Sequence, residues 1–447
     1  MTVSLTQKLI EEHVLVCPKC KTPKLVVKAD GYHCGSCMIS WPAHCNVPDF
    51  FNRYVENERG AELAVAQEFV DRICEVLALG KDPATVKAVS SVLSRASKLK
   101  TEVDSLTAEI EDVYDRFFGK DKFDHPAPDA QANQGIGVVF ERHYFPPRAG
   151  KSEAFSANVR VRNAGAQAWS SRTRNPVALK AEWRGLRGEP AYAHFPIDVA
   201  PGRAITMPIR MTAPEAAGDA TVRITLECPG SREQASQYLD ISVAVGAVRT
   251  DHHHVGMVRF DPPIADYGKD HQDALAFLLS YLTRESISRS RILEIGSGPH
   301  PQLAWLEDSE VVALDISAPL LELGSLYFGD RFTHRLAFMC ADAFDPPFAP
   351  GSFDVVGMFS TLHHFPEPDL LLKKLSGLLR PAGVLAVMCE PVGDSLAAAS
   401  TVRDLLKGIN EQVFSTSEYW RIFEAAGLVP LSAKVNGGSL KAILSKK

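Results

Sequence analysis

The period of the apolar positions changes along this chain, and each change marks a boundary. Residues 1–53 hold short alternating stretches between Cys, Lys and Pro. Residues 54–118 contain little Pro and repeat apolar residues every three or four positions. Leu63, Ala66, Val70, Ile73 and Leu77 form one stripe; Leu99, Val103, Leu106, Ile110, Val113 and Phe117 form a later one. That spacing gives a helix one apolar face, which needs a partner surface. Asp82-Pro83 supplies an N-cap and a first-turn Pro, so a separate helix starts there. Helices packed on each other as a spacer satisfy the stripe; a coiled coil joining two copies of the chain is the sharper alternative. Residues 119–135 read as a linker. Residues 136–247 alternate polar and apolar, strictly so over Ala157–Asn163 and Val177–Trp183. Asn163-Ala164-Gly165, Pro201-Gly202, Gly218-Asp219 and Pro229-Gly230 supply turns, and a β-sandwich is expected. Over residues 255–447 apolar strand runs alternate with helical ones, the pattern of an α/β unit.

Composition narrows the class. The chain has 447 residues, 45% hydrophobic and 23% charged, which excludes a disordered or collagenous protein and leaves room for several cores. A net charge of -6 gives no whole-molecule attraction to nucleic acid or acidic membranes. No uncharged apolar run approaches the roughly 18 residues of a membrane span. Lys8, Glu11 and Glu12 interrupt the first apolar stretch, so no signal peptide is read and a cytoplasmic location is expected.

Nine cysteines include two close pairs, Cys17-Pro18-Lys19-Cys20 and Cys34-Gly35-Ser36-Cys37. Two residues between cysteines let both sulfurs of a knuckle face one ion. Two knuckles, joined by a short hairpin with Asp30-Gly31 at its turn, make a tetrahedral four-sulfur shell suited to Zn²⁺. Four thiolates leave no open position, so the metal would be structural; His33, His44 and Cys45 are weaker substitute ligands, and packing as buried thiols is the plain alternative. With the tail Trp41-Pro42 and Asn46-Val47-Pro48-Asp49-Phe50, residues 10–52 resemble the small zinc-ribbon proteins that activate methyltransferases. The resemblance implies a methyltransferase partner, not a reaction.

The densest signal is Arg291-Ile292-Leu293-Glu294-Ile295-Gly296-Ser297-Gly298-Pro299, an apolar strand running into a Gly-x-Gly turn. Glycines there let backbone approach a ligand at a strand's carboxyl end. Val311 to Asp315 is a second strand ending in an acid that could accept ribose hydroxyls. Phe338 to Ala343 carries a third acid, Asp342. Phe353 to Phe359 runs into Ser360-Thr361-Leu362-His363-His364-Phe365, and Val384 to Met388 is a fifth strand. A nicotinamide dehydrogenase uses the same turn and distal acid and is the alternative; the third acid and the Leu-His-His segment carry a different resemblance, which implies a methyl donor. In this order the residues resemble class I S-adenosylmethionine-dependent methyltransferases, over roughly residues 260–447. The resemblance implies a Rossmann-like, seven-stranded, mostly parallel sheet. Its late strands would lie at Pro430–Val435 and, antiparallel, at Lys441–Leu444, after a helix Glu418–Ala426. It also implies that Glu294 meets the methionine amino group, that Gly296, Ser297 and Gly298 make room for the cofactor, and that Asp315 with Ile316 holds the ribose. Asp342 and the Ala343 backbone would meet the adenine, and Ser360 would border the methyl-transfer site. Strand-end capping is the plain alternative for the acids. His300 stands where the family often has a third glycine, and a side chain there changes how the following helix packs.

Methyl transfer from a sulfonium is an in-line displacement, which the protein serves by alignment. An alcohol acceptor also needs a base; His363 and His364 are the candidates, ahead of Asp369 and Glu390. Ala154–Gly165, Ala168-Trp169, Val199–Gly202 and Ala213–Gly218 resemble immunoglobulin-like modules fused to bacterial enzymes of surface-polysaccharide assembly. That resemblance implies a carbohydrate or glycan-precursor ligand and polysaccharide-assembly partners. Tyr144, Trp169, Trp183 and Tyr192 are candidate sugar platforms, with core packing as the plainer account. Arg172 and Arg174 could meet an anionic sugar. His252-His253-His254 reads as solvated linker. The expected function is O-methylation of a polysaccharide sugar or its precursor. An rRNA, tRNA or protein methyltransferase and a non-catalytic scaffold are the alternatives.

Overall fold

The computed structural model describes residues 4–28, 31–51, 67–76, 79–95, 136–171, 176–229, 234–246, 268–287, 290–306, 308–329, 332–393, 396 and 398–447. The linker 119–135, the stripe from Leu99 to Phe117, Leu63, Ala66, Leu77, Arg172, Arg174 and the His252–His254 run lie outside these residues.

The N-terminal part begins with a helix, Leu5–Glu11, whose N-cap Ser4 accepts from the Gln7 amide. Strands β1 (Leu25–Lys28), β2 (Gly31–Cys34) and β3 (Ser40–Trp41) form one antiparallel sheet; β4 (Ala43–His44) and β5 (Val47–Pro48) form a separate pair. Helices Gln67–Val76 and Pro83–Arg95 follow. The second starts where Asp82 Oδ1 accepts from the amides of Ala84 and Thr85, both at 3.1 Å. Val70, Ile73, Val89, Val92 and Leu93 are buried in one cluster with Leu323, so the described part of the apolar stripe is covered within the chain.

The next eight strands are β6 (Val138–Tyr144), β7 (Arg148–Ala149), β8 (Ala154–Asn163), β9 (Ala178–Arg184), β10 (Ala191–His194), β11 (Ala204–Thr212), β12 (Gly218–Glu227) and β13 (Leu239–Val245). They form sheets of order β10-β9-β12-β13-β7 and β11-β8-β6. Val159, Val161, Leu179, Trp183, Ile205 and Val222 lie in one core between them. Gly218-Asp219 is not the expected turn. Both residues pair with β13, opposite Val245 and Ala244, and the chain bends just before them.

The C-terminal sheet comprises β14 (Arg291–Ile295), β15 (Glu310–Asp315), β16 (Leu336–Cys340), β17 (Phe353–Phe359), β18 (Leu379–Pro391), β19 (Leu428–Asn436) and β20 (Ser439–Lys446). Its order is β16-β15-β14-β17-β18-β20-β19, parallel except for β20, which runs antiparallel to both neighbours. All residues of β14 and β16 are buried. Helices cover both faces of such a sheet, which is why its strands read as unbroken apolar runs. After the glycine turn the pattern from Gln302 to Glu307 reads as helical; its described residues form a short 3₁₀ turn, Gln302–Trp305.

Two units close on this sheet. The N-terminal part covers the β16 edge: the Phe50 amide donates to Cys340 O at 2.8 Å and the Leu5 amide to Thr333 O at 2.7 Å. Leu15 bridges to Phe348 and Asp49 to Cys340. Leu5, Leu9, Trp41 and Phe50 share a core with Met339 and Phe344. An open strand edge is a liability, and here it is capped in cis. On another side, helix Ala399–Lys407 sends Val402, Leu405 and Leu406 into the core of the two-sheet unit. Strand β8 is consequently buried on both faces from Phe155 to Val161. Its polar members face the C-terminal unit: Arg160 donates to Leu406 O and Asn158 to Asn410 Oδ1, both at 3.3 Å. Among the described residues no helix is long and apolar enough to cross a membrane.

Phe50 packs edge-on against Tyr32 and Trp41 at centroid distances of 5.5 and 5.9 Å. Phe50→Ala is expected to lower stability by about 3–5 kcal/mol. It should also speed amide exchange in β16; denaturant melts with hydrogen exchange read both, and unchanged β16 protection would contradict the edge-covering role.

Candidate active site

The Gly-x-Gly turn, Asp315, Asp342 and the Ser360–His364 segment all fall at the carboxyl end of the parallel strands. The two glycines have different reasons. Gly296 has φ +65°, and a Cβ there would stand 2.3 Å from Thr361 Cγ2. It therefore makes room for Thr361, not for a ligand. Gly298 has φ +53°, and a Cβ would meet nothing within 4 Å, so this glycine faces open space. Ser297 between them is buried, and its hydroxyl donates to Gly298 O at 3.3 Å.

Glu294 is engaged with the turn that follows it. Its two carboxylate oxygens accept from the amides of Gln302 and Leu303 at 2.8 and 2.7 Å, capping the short 3₁₀ turn. Burial pushes its pKa up to about 8 against those two bonds. The side chain is 2% exposed, so its work is to hold the turn together. Asp315 binds both ends of its own neighbourhood: Oδ2 accepts from the Gly298 amide at 3.0 Å and Oδ1 from the Ser317 amide at 2.9 Å. Burial raises its pKa, while those amides and the nearby His364 work to lower it. Half-buried Ile316 follows; its carbonyl accepts from Cys340 Sγ at 3.4 Å. Asp342 is half-buried, with Oδ1 accepting from the Phe344 amide at 2.9 Å; Ala343 is buried beside it. His300 stacks edge-on against Tyr327 with centroids 4.6 Å apart, filling space where a glycine would leave a gap.

Ser360 has φ +48°, a costly conformation for a residue with a side chain. Its hydroxyl donates to Cys389 O at 3.1 Å and lies 3.1 Å from His271 Nε2. Just beyond it, Glu390 at the end of β18 gathers the loop. It accepts from the amides of Thr361 and Leu362 (2.9 Å each) and His363 (3.0 Å), and from His363 Nδ1 at 2.7 Å. Burial would raise the Glu390 pKa; the His363 ring and the amides hold it below the usual carboxylate range. Glu390 is fully buried and thus a positioning group. His363, 5% exposed, has Nε2 3.5 Å from Glu411 Oε2. His364 is half-buried, with Nδ1 2.9 Å from Glu411 Oε2 and 3.0 Å from Asn410 O. Burial lowers the His364 pKa, but the Glu411 carboxylate more than reverses this and lifts it to about 9. The two rings lie 4.1 Å apart.

Glu411, Asn410 and His271 belong to this site, and no motif points to them. Glu411 and Asn410 lie in the irregular segment before helix Thr416–Ala425; His271 lies on helix Gly268–Arg284. Only tertiary structure brings them in. Asn410 donates from Nδ2 to His364 O and accepts from Asn158, so the two-sheet unit is one residue removed from His364. Asp369 lines a different space, a 430 Å³ cavity shared with Phe155, Arg210, Phe414 and Arg421. Trp169 and Trp183 are core residues at 2% and 5% exposure, since their rings fill the space between the sheets. They are not sugar platforms. Tyr192 is exposed, its hydroxyl donating to Glu227; the Tyr144 side chain lies outside the described set.

The four cysteines converge as the spacing expects. Cys17 and Cys37 sulfurs are 3.6 Å apart, as are those of Cys20 and Cys34. A tetrahedral Zn–S shell with bonds near 2.3 Å has sulfurs about 3.8 Å apart, so the donor set fits. His33 Nδ1 is instead 2.7 Å from Ser40 Oγ.

Residues 293–387 match the family described as "Methyltransferase domain". The curated 27-O-demethylrifamycin SV methyltransferase of Amycolatopsis mediterranei is 35% identical over 153 residues, 32% of this chain and 56% of that protein. Methyltransferase GfsG of Streptomyces halstedii is 27% identical over 165 residues, 35% of this chain and 57% of its own length. O-methyltransferase rstn1 of Aspergillus nomiae is 27% identical over 169 residues, 36% and 72% respectively. The chain thus spans little more than half the length of the first two. Its C-terminal region carries a methyltransferase domain with a mostly parallel, Rossmann-like sheet.

The glycine pair gives a direct check. Gly296→Ala should unfold the turn and lower the melting temperature sharply, because neither φ nor Thr361 can yield. Gly298→Ala should cost about 1 kcal/mol for its φ alone. Equal melting temperatures for the two variants would contradict this division.

Proposed function

We propose that the chain is an S-adenosylmethionine-dependent methyltransferase acting on a hydroxyl of a small molecule or sugar. The supporting observation is the arrangement of Gly298, Asp315 and Asp342 at neighbouring strand ends: a glycine that faces open space, flanked by two acids. Gly298, Asp315 with Ile316, and Asp342 with the Ala343 amide would hold the donor's nucleoside part. Bound there, the donor supplies an electrophilic methyl group on its sulfonium. Glu294 supports the turn from behind. Ser360, held in a strained conformation, borders the place of transfer, and the chain's task is to align an acceptor oxygen.

Of the two histidines, His364 is the one that meets an acceptor. His363 has both ring nitrogens turned to carboxylates and is closed from the cleft. The names of two relatives speak of O-methylation. A saccharide acceptor rests on the resemblance of the β region alone. The four-part organisation, with a structural Zn²⁺ held by Cys17, Cys20, Cys34 and Cys37, completes the reading.

Asp315→Asn should weaken S-adenosylhomocysteine binding roughly 10- to 100-fold, as loss of a charged hydrogen-bond acceptor does. His364→Ala should leave that affinity intact and lower turnover with labelled donor on hydroxyl-bearing acceptors. Calorimetry showing no binding by the unaltered chain would leave only the scaffold reading. Binding without turnover on any hydroxylated acceptor would remove the acceptor class.

A further inference from the structure

We propose that His363, His364 and Glu411 form a second metal site, for a divalent first-row cation, at the junction of the C-terminal domain with the two-sheet unit. One ligand atom from each lies within 4.8 Å of the others. Glu411 Oε2 is 2.9 Å from His364 Nδ1 and 3.5 Å from His363 Nε2. Around an ion with bonds near 2.0–2.2 Å, adjacent ligand atoms stand about 3.0–3.5 Å apart. Both distances from Glu411 Oε2 match those between ligands that share one ion.

Three further observations point to a cation there. Glu411 Oε2 is buried and faces two ring nitrogens at once, His364 Nδ1 at 2.9 Å and His363 Nε2 at 3.5 Å; its other oxygen accepts from Thr401 Oγ1 at 3.4 Å. Glu390 already accepts three backbone N–H groups, and its Oε2 lies 2.7 Å from His363 Nδ1, which fixes the orientation of that ring. The other ring nitrogen, Nε2, is thereby turned toward Glu411 Oε2. Lastly, Asn410 O stands 3.0 Å from His364 Nδ1, adding a carbonyl oxygen to the same place. An ion at the centre of these groups would meet all of them at once. A carboxylate fixing the far nitrogen of a ligating histidine is the usual outer support of a metal site. Two imidazoles with carboxylate and carbonyl oxygens suit Zn²⁺, Mn²⁺ or Fe²⁺, in contrast to the four-sulfur site.

The site itself stands on geometry. Its use, lowering the pKa of an acceptor hydroxyl beside Ser360, rests on the methyl-transfer reading. The test therefore counts metal, not turnover. The full chain is stripped, reloaded with Zn²⁺ or Co²⁺ and desalted. Two zinc equivalents per chain are expected, and one in Glu411→Gln and in the half-exposed His364→Gln. The zinc that stays with the cysteines reports that each variant is folded. With Co²⁺, thiolate charge-transfer bands should persist in both variants while the weaker ligand-field bands of a nitrogen–oxygen site disappear. A single equivalent in the unaltered chain, or a second one that survives both substitutions, overturns the proposal. Two equivalents without methyl transfer would keep the site and reject only its use.

Discussion

The carboxylate of Glu390 is the constraint on which the site depends. It sits at the end of β18, fully buried, and accepts four hydrogen bonds from the segment that follows β17. A buried carboxylate left short of partners would be costly, so these bonds fix the segment's path. That path brings Thr361 against the Gly-x-Gly turn, where any side chain at position 296 would collide with it. It also forces Ser360 to positive φ and turns His363 toward Glu411. One acid thus sets the turn, the strained serine and the histidine pair together.

Residues with a purely local reason were legible in the sequence. Strands β14 to β17 appeared as apolar runs because both faces are buried, and their ends fell where Asp315 and Ser360 were expected. The cysteine pairs were legible because two-residue spacing acts within one knuckle. What could not be read was set by contacts across the chain. Glu294 carries the motif's acid, yet its oxygens serve the amides of Gln302 and Leu303, a choice that depends on how the following turn folds. Glu411 lies in no periodic segment. Strand β8 shows the same limit in reverse: Asn158 and Arg160 alternate like solvent-facing residues and are buried, because a second unit packs on that face.

Both attached units act on the C-terminal sheet through backbone and polar groups as well as apolar ones. The N-terminal part bonds to the carbonyl of Cys340, the last residue of β16 and two residues before Asp342. Arg291 at the start of β14 ties Glu12 of that part to Glu310 of β15. Such a partly buried network has more consequence than exposed ion pairs do. The part that carries the four-cysteine cluster is too small for a sizeable core of its own, and it shares its core with the C-terminal sheet at the edge nearest Asp342.

The two-sheet unit has a closer relation to the chemistry than a tethered module would. Asn158 on β8 bonds to Asn410, whose side chain and carbonyl both meet His364. Arg210 on β11 pairs with Glu418, the residue that completes the capping box of helix Thr416–Ala425. The segment between these anchors carries Glu411. Its position is therefore set jointly by the C-terminal domain and by the neighbouring β unit. If that unit moved away, Glu411 would lose the frame that holds it against two imidazoles. The unit's contribution is then to hold the segment Asn410–Glu411 against His364, whatever ligand its own surface meets.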